Sequence, residues 1–258
     1  MVCAVLFLSA CSSDPSTTSG GDASSAPERE LTVFAGSSLT QAFAALGADF
    51  ESAHPGVTVT FNLGPSDALA AQIGSEGGAD VFASASQTWM DEVSDTVGVS
   101  GRVDFVTNEL VVITPPDDPA GIASLEDLAN DGVQVVLAAE GVPVGDYARE
   151  ALRNAGIDDA VLANVVSNAE DDAAVVGTIA SGEADAGIVY VSDVTSEVAP
   201  SVRSVEIPQA VNVRATYPIA VVNGGPDPHL SQAWVDHVTT GPGQAQLVEE
   251  FGFLPAQA

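Results

Sequence analysis

Four short segments place small or polar residues where a predicted strand gives way to a predicted helix. They are 36–41 (GSSLTQ), 64–67 (GPSD), 141–145 (GVPVG) and 168–172 (NAEDD). The first turn of a helix leaves backbone N–H groups unpaired and carries partial positive charge, so converging helix starts can hold an anion without lysine or arginine. The four junctions therefore predict an anion site made of donors. Taken singly, Ser38 and Ser66 are also explained as N-caps, and Ser38 with Gln41 has the spacing of a capping box.

The elements that must position these junctions alternate along the chain. Strands at 31–35 and 57–61 flank a helix with one apolar face. The residues on that face are Leu39, Phe43, Leu46 and Phe50. The later predicted elements are a helix from 67, a strand at 80–83, a helix through 89–90, strands at 109–114 and 133–138, helices at 146–155 and 171–181, strands at 186–191, 203–207 and 217–223, and helices around 234 and 247. This order predicts an α/β fold, with ligands bound where strands end and helices begin.

The charge balance excludes several classes of partner. Among 258 residues, 36 are Asp or Glu and 6 are Lys or Arg, which gives a formal net charge of −30, and all six bases are arginine. Binding to nucleic acid or to an anionic lipid surface needs clustered basic side chains, so both are excluded. With 46% hydrophobic and 16% charged residues, the chain can bury a large core.

The N-terminal segment has the features of an export signal. Residues 1–11 carry an apolar run that is too short to span a membrane and ends in Leu8-Ser9-Ala10-Cys11, which resembles a bacterial lipobox. Cys11 would then carry a lipid anchor that holds the protein outside the cytoplasm as its one attachment to the membrane. No Lys or Arg precedes the apolar run, and a frayed apolar N-terminus is the alternative. Residues 12–30 are small and polar, which predicts a flexible tether.

Seven further strings occur along the body in a fixed order. They are 33–40 (VFAGSSLT), 79–85 (ADVFASA), 89–91 (WMD), 142–148 (VPVGDYA), 187–193 (GIVYVSD), 217–222 (YPIAVV) and 251–253 (FGF). In order and spacing these strings resemble the molybdate-binding proteins of ABC importers, and the resemblance covers nearly the whole body.

The resemblance implies a two-lobe periplasmic-binding-protein fold of type II, each lobe a mixed sheet flanked by helices, with the ligand in the cleft between the lobes. Lobe 1 is expected at 31–108 plus 219–258, and lobe 2 at 109–218. The resemblance further implies a monomeric, extracytoplasmic carrier without catalytic activity or cofactor. It is expected to capture molybdate, and tungstate as well, and to hand the anion to the transmembrane subunits of an ABC permease.

Five residues match the positions at which these proteins contact the anion. Ser38 is expected to donate from its hydroxyl and its backbone N–H, and Ser66 is the second serine. Val144 and Asp172 fall where backbone N–H groups donate, and Tyr190 matches the phenol donor. The two serines belong to lobe 1 and the other three residues to lobe 2, so all five can contact the anion only in the closed cleft. Molybdenum is then held through its oxygens alone, without a bond from protein to metal.

Three residues depart from the pattern of that family. Pro65 and Asp67 flank Ser66, and Asp172 carries a carboxylate where the family can place an apolar side chain. We expect Asp67 and Asp172 to point outward, which leaves a site made only of donors that prefers a fully deprotonated dianion. Affinity for such a ligand is expected to be nearly flat between about pH 6 and 8. An inward carboxylate would instead accept a hydrogen bond from a protonated ligand such as hydrogen phosphate.

Two other functions remain open on the sequence alone. The first is a binding protein for another tetrahedral oxyanion, sulfate or phosphate, since the scaffold does not fix the ligand. The second is a secreted hydrolase that uses Ser38 or Ser66 with a histidine. The three histidines, His54, His229 and His237, are scattered without the spacing of a metal site or catalytic pair, which predicts surface positions. The two tryptophans, Trp89 and Trp234, are expected to pack helices onto sheets.

Overall fold

The computed structural model describes residues 29–256. Its strands are β1 (Arg29–Gly36), β2 (Val57–Gly64), β3 (Val81–Ala83), β4 (Val99–Thr114), β5 (Val135–Ala138), β6 (Val165–Ala169), β7 (Ala186–Tyr190), β8 (Arg203–Glu206), β9 (Arg214–Val222) and β10 (Leu254–Pro255). Its α-helices are α1 (Thr40–Ala53), α2 (Ser66–Glu76), α3 (Gln87–Thr96), α4 (Pro143–Ala155), α5 (Asp158–Ala163), α6 (Asp172–Ala180), α7 (Pro228–Thr239) and α8 (Gly241–Glu249). Short 3₁₀ helices lie at Ser37–Leu39, Leu125–Ala129, Val191–Asp193 and Ala199–Ser201.

The N-terminal predictions cannot be compared with this structure. The export signal, the anchor at Cys11 and residues 12–28 of the predicted tether lie outside the described residues. Within residues 29–256, the helices are all too short or too polar to cross a bilayer.

One long strand, β4, joins two groups of strands. Its first part, from Val99 to Glu109, pairs antiparallel with β9 beside the parallel strands β1, β2 and β3, and we call this group the first sheet. Its second part, from Leu110 to Thr114, pairs antiparallel with β7 and β8, and β5 runs parallel to both β7 and β6; this group is the second sheet. Both groups mix parallel and antiparallel pairs and are flanked by helices. The α/β prediction is confirmed.

An aromatic cluster fixes the first helix against the first sheet. The predicted apolar face, from Leu39 to Phe50, is fully buried. Phe43 and Phe50 meet the edge of the Trp234 ring from α7, with ring centroids 5.6 and 5.3 Å apart. Gly47 allows β2 to come close, because a Cβ there would lie 2.8 Å from the Phe61 ring. This packing holds α1 and the 3₁₀ turn before it at a fixed place on the sheet.

Some boundaries differ from those predicted. Strand β4 begins ten residues before the predicted strand at 109–114, because its polar first part looks like a loop in the sequence and pairs with β9 through two register shifts. The sequence also did not indicate α5 or β6. Helix α5 has only six residues and β6 is a largely exposed five-residue strand, so neither carries a readable hydrophobic period. Strand β1 begins at Arg29 rather than at Leu31.

The sheet pairing indicates where the chain passes between the first and the second sheet. Strand β4 leaves the first sheet after Glu109, and β9 pairs with the first sheet from Arg214 onward. The lobe boundaries at 31–108 plus 219–258 and at 109–218 stay a prediction.

Gly145 provides a test of the tight packing at the start of α4. A Cβ at Gly145 would lie 2.5 Å from the carbonyl oxygen of Ala138 and 2.4 Å from that of Ala139. Because these are backbone atoms, Gly145→Ala is expected to displace the first turn of α4 and to lower the free energy of unfolding by about 1–3 kcal/mol. Urea denaturation measures this change.

The matched control is Gly177→Ala in α6, where a Cβ meets nothing within 4 Å. This variant is expected to keep the stability or to raise it by up to about 1 kcal/mol, since alanine is the better helix former. Equal stability of the two variants would contradict the close contact at Gly145.

Candidate anion-binding site

The structure brings all five sequence-predicted residues to one small cavity. They are Ser38, Ser66, Val144, Asp172 and Tyr190. They come from the 3₁₀ turn after β1, from the first turns of α2, α4 and α6, and from the end of β7. Three full helix starts and one 3₁₀ turn thus face a common space from both sheets.

Ser66 is held so that its hydroxyl proton is free for a ligand. Its side chain is 1% exposed, and its Oγ accepts the backbone N–H of Ala85 at 3.0 Å. Gly36 leaves room for this arrangement, because a Cβ there would lie 3.2 Å from Ser66 Oγ. The N-cap of α2 is Pro65, so Ser66 does not cap its helix and the N-cap interpretation is wrong.

Ser38 is oriented by two residues that the sequence reasoning missed. Its Oγ lies 2.9 Å from the hydroxyl of Tyr217, and the buried Asn108 Nδ2 donates to that phenol oxygen at 3.5 Å. With Asn108 donating to Tyr217 and Tyr217 donating to Ser38, the Ser38 proton is available to an anion. Helix α1 begins after Leu39 without a side-chain cap, so the capping box predicted for Ser38 and Gln41 is wrong.

Val144 presents the first turn of α4, which starts with a proline at its first position. A buried arginine stabilises this turn through hydrogen bonds. Arg149 is 7% exposed and donates to the carbonyl oxygens of Ala138 and Gly145 at 2.7 and 2.9 Å and to Asn168 Oδ1 at 2.8 Å. It therefore ties the start of α4 to the ends of β5 and β6. An arginine among the apolar positions of a predicted helix was the available signal, and the sequence reasoning did not use it.

Tyr190 is a donor that lacks an acceptor within residues 29–256. Its ring is 1% exposed and its hydroxyl is buried. Burial raises the pKa of this phenol well above its usual value, and the neighbouring Tyr217 adds to the effect, so Tyr190 stays protonated. A buried hydroxyl at a cavity wall without a partner is the kind of group that a bound acceptor satisfies.

Asp172 is turned inward, which corrects the expectation that it points outward. The residue is 2% exposed, its Oδ1 accepts the Ser37 hydroxyl, and its Oδ2 is buried without a hydrogen-bond partner among the described residues. The reason is local: Asp171, one residue earlier, is the N-cap of α6 and accepts the Ala174 N–H at 2.8 Å. Burial raises the pKa of Asp172 to about 6.

Asp67 does not point freely outward either. Its Oδ1 is buried and lacks a partner in the described part of the chain, and its Oδ2 would lie 4.0 Å from a Cβ at Gly141. Asp67 belongs to α2 and Gly141 to the loop before α4, so this carboxylate faces the opposite side of the cleft. The site is not built from donors alone.

Direct hydrogen bonds join the two sides of the cleft. Ser37, which follows β1, donates to Asp172 at the start of α6. Trp89 of α3 donates from Nε1 to the carbonyl oxygen of Gly141 at 2.9 Å. Trp234 packs a helix onto a sheet as expected, whereas Trp89 also bridges the cleft. These bonds describe a closed arrangement.

The histidines lie away from the cavity. His54 stacks on Phe50 with ring centroids 4.0 Å apart, and His237 meets the edge of Phe50 at 5.4 Å. Both are half-buried, so the surface prediction is wrong for them, whereas His229 is exposed as expected. Among the described residues, no group of three or more His, Cys, Asp or Glu side chains could hold a metal ion.

The comparison with known proteins settles the family. The family model of the bacterial extracellular solute-binding proteins matches residues 31–254. The chain belongs to this family. It is 36% identical over 253 residues to the molybdate-binding protein ModA of Mycobacterium tuberculosis, covering 96% of this chain and 93% of that protein. It is 33% identical to the molybdate-binding protein ModA of Escherichia coli over 88% of this chain and 90% of the relative.

Two solved structures share the fold. The substrate-binding domain of a putative molybdenum ABC transporter from Clostridium difficile superposes with a TM-score of 0.68 at 29% identity, covering 89% of this chain and 100% of that one. The periplasmic molybdate-binding protein of Azotobacter vinelandii superposes with a TM-score of 0.76 at 19% identity, covering 88% and 100%. The predicted type II periplasmic-binding-protein architecture is confirmed.

Trp89 allows a test of the bridge across the cleft. Trp89→Phe keeps an aromatic ring and removes the N–H that reaches Gly141, so it is expected to weaken anion binding by roughly 2- to 12-fold, the range of a net 0.5–1.5 kcal/mol hydrogen bond. Calorimetric titration gives the affinity. Trp234→Phe is the control, because the Trp234 Nε1 has no partner within residues 29–256. Equal affinities of the two variants would argue against the bridge.

Proposed function

We propose that this protein captures molybdate, and tungstate as well, in the cavity between its two sheets and delivers the anion to the permease of an ABC importer. One observation carries the proposal. Two oriented serine hydroxyls, a buried tyrosine hydroxyl and the first turns of α4 and α6 converge on one small cavity. The names of the curated relatives, which are molybdate-binding proteins, support the choice of anion.

Binding rests on neutral donors. The hydroxyls of Ser38, Ser66 and Tyr190 and the backbone N–H groups of Val144 and Asp172 would each donate to an oxygen of the anion. A hydrogen bond to a charged group contributes roughly 1.5–3 kcal/mol, so five such bonds can replace the water around a dianion. The helix starts add their partial positive charge. Molybdenum is contacted only through its oxygens, and neither a cofactor nor a catalytic step is part of the proposal.

The geometry ties binding to closure. The two serines stand on the first sheet's side, while Val144, Asp172 and Tyr190 stand on the other, so the full set of donors exists only when the cleft is closed. A permease can distinguish the occupied, closed form from the open form.

We further propose that the protein acts as a monomer outside the cytoplasm, held by a lipid at Cys11.

A second candidate ligand is hydrogen phosphate. The inward carboxyl of Asp172 favours it, because an ionised Asp172 could accept the proton of such an anion. The secreted-hydrolase alternative finds no comparable support, since the residues that line the cavity in the described structure include no histidine.

Calorimetric titration with molybdate, tungstate, sulfate and phosphate tests the proposal. One-to-one binding of molybdate and tungstate is expected, with no heat from sulfate or phosphate. Ser66→Ala is expected to weaken molybdate binding by roughly 10- to 100-fold, because one hydrogen bond to a charged ligand is lost.

Ser75→Ala provides the matched control. Ser75 lies on the exposed face of the same helix and bonds only to helix carbonyls, so its loss should leave binding unchanged. A preference for phosphate, or equal binding by both serine variants, would refute the proposed site.

A further inference from the structure

A second carboxyl lies beside Asp172. Asp193, in the 3₁₀ turn Val191–Asp193 after β7, lines a larger and mainly apolar cavity next to the anion site together with Asp172 and Ser37. Its Oδ2 accepts the backbone N–H of Tyr190 at 2.8 Å. Two neighbouring carboxyls therefore lie at the anion site, Asp172 in its wall and Asp193 in the wall of the adjoining cavity.

Within the described residues 29–256, the surroundings of this pair contain no compensating cation. The groups that face it are Asp171 on α6, the phenols of Tyr190 and Tyr217, and the Ser37 hydroxyl. Among residues 29–256, the five ion pairs engage other carboxylates; they are Arg29–Asp227, Arg102–Asp91, Arg149–Glu140, Arg203–Asp118 and Arg214–Glu109. Asp172 is buried and Asp193 is half-buried, and two such adjacent carboxyls without a cation are not both ionised at low cost.

The pKa values of both carboxyls are raised, as this geometry leads one to expect. Burial, with the charge of Asp171, raises the pKa of Asp172 to about 6 although the Ser37 hydrogen bond opposes the rise. Burial and then the charge of Asp172 raise the pKa of Asp193 well above its usual value. The pair therefore holds a proton in the closed cleft at mildly acidic pH.

Closure links this proton to the ligand. Asp172 is buried against Ser37, which belongs to the other side of the cleft, so the carboxyl loses solvent when the two sides meet. A dianion in the adjacent cavity would repel an ionised Asp172. Protonation removes that repulsion and gives Asp172 an O–H donor, so the wall becomes a set of donors again.

We propose that Asp172 and Asp193 bind one proton as the cleft closes on a dianion, so that capture of molybdate is coupled to proton uptake and weakens as the pH rises. This inference rests on the proposed function. It replaces the flat pH dependence that the sequence led us to expect.

The sign follows from linkage. Repulsion by the bound dianion makes the complex bind more protons than the free protein, so affinity is highest below the titration of free Asp172 and falls above it. The affinity falls by at most about 10-fold per pH unit, which is the limit for one proton. Because the two carboxyls interact, the pH at which the affinity falls reflects the titration of the pair and not of either carboxyl alone.

Calorimetry in two buffers of different ionisation enthalpy measures the proton directly. With molybdate at about pH 7, the wild-type protein is expected to take up a substantial fraction of one proton per anion. Asp172→Asn keeps the backbone N–H and an oxygen that can accept from Ser37, and it is expected to take up almost none and to bind with an affinity that no longer depends on pH.

Two further variants complete the test. Asp171→Asn removes a charge that helps to raise the Asp172 pKa while asparagine still caps α6, so it is expected to keep the proton uptake and to move the fall in affinity to lower pH. Asp193→Asn removes the neighbouring charge, which should move the fall in affinity to lower pH, and it tests the coupling even where Asp172→Asn does not fold.

The outcomes separate the two proposals. Molybdate binding by the wild-type protein without proton uptake, or wild-type uptake in Asp172→Asn, would overturn the coupling alone. No binding of molybdate in any buffer across the pH range would overturn the proposed function, and the coupling with it.

Discussion

An anion site in a chain of net charge −30 must work against the field of its own protein. In the proposed site, oriented neutral donors meet this constraint, because the chain has no lysine and none of its arginines, all of which the structure describes, lines the cavity. Donors of this kind act at short range and only in the right direction. Each one therefore needs a second group that fixes its orientation, and much of the surrounding structure supplies such groups.

Several buried hydrogen bonds hold the donors of the proposed site in their orientations. Ser66 is set by the Ala85 N–H, Ser38 by Tyr217, and the first turn of α4 by Arg149. Arg149 is the buried cation of the region, yet its hydrogen bonds go to backbone carbonyls and an amide rather than into the cavity. Its role is to hold a helix start in place. The aromatic cluster around Phe43 does the same for α1.

Asp172 changes the character of the site. A carboxylate in the wall opposes a dianion, and burial raises its pKa although the Ser37 hydrogen bond opposes the rise, so its state depends on pH and on closure. With Asp193 beside it, one proton decides whether the wall repels or donates. A site of neutral donors with one ionisable pair thus combines anion capture with sensitivity to the proton, while retaining the scaffold of the solute-binding family.

The α/β fold, the apolar face of the first helix and the junctions that meet at the cavity could be predicted from the sequence, because hydrophobic period and strand–helix order are local properties. The resemblance supplied the five residues that the structure brings together. Three features emerged only from the folded chain: Ser38 and Ser66 are not N-caps, Asp172 faces inward, and Asn108 and Tyr217 orient a serine. Those outcomes depend on contacts between residues as far apart as Ser37 and Asp172, and local pattern carries no information about such pairs.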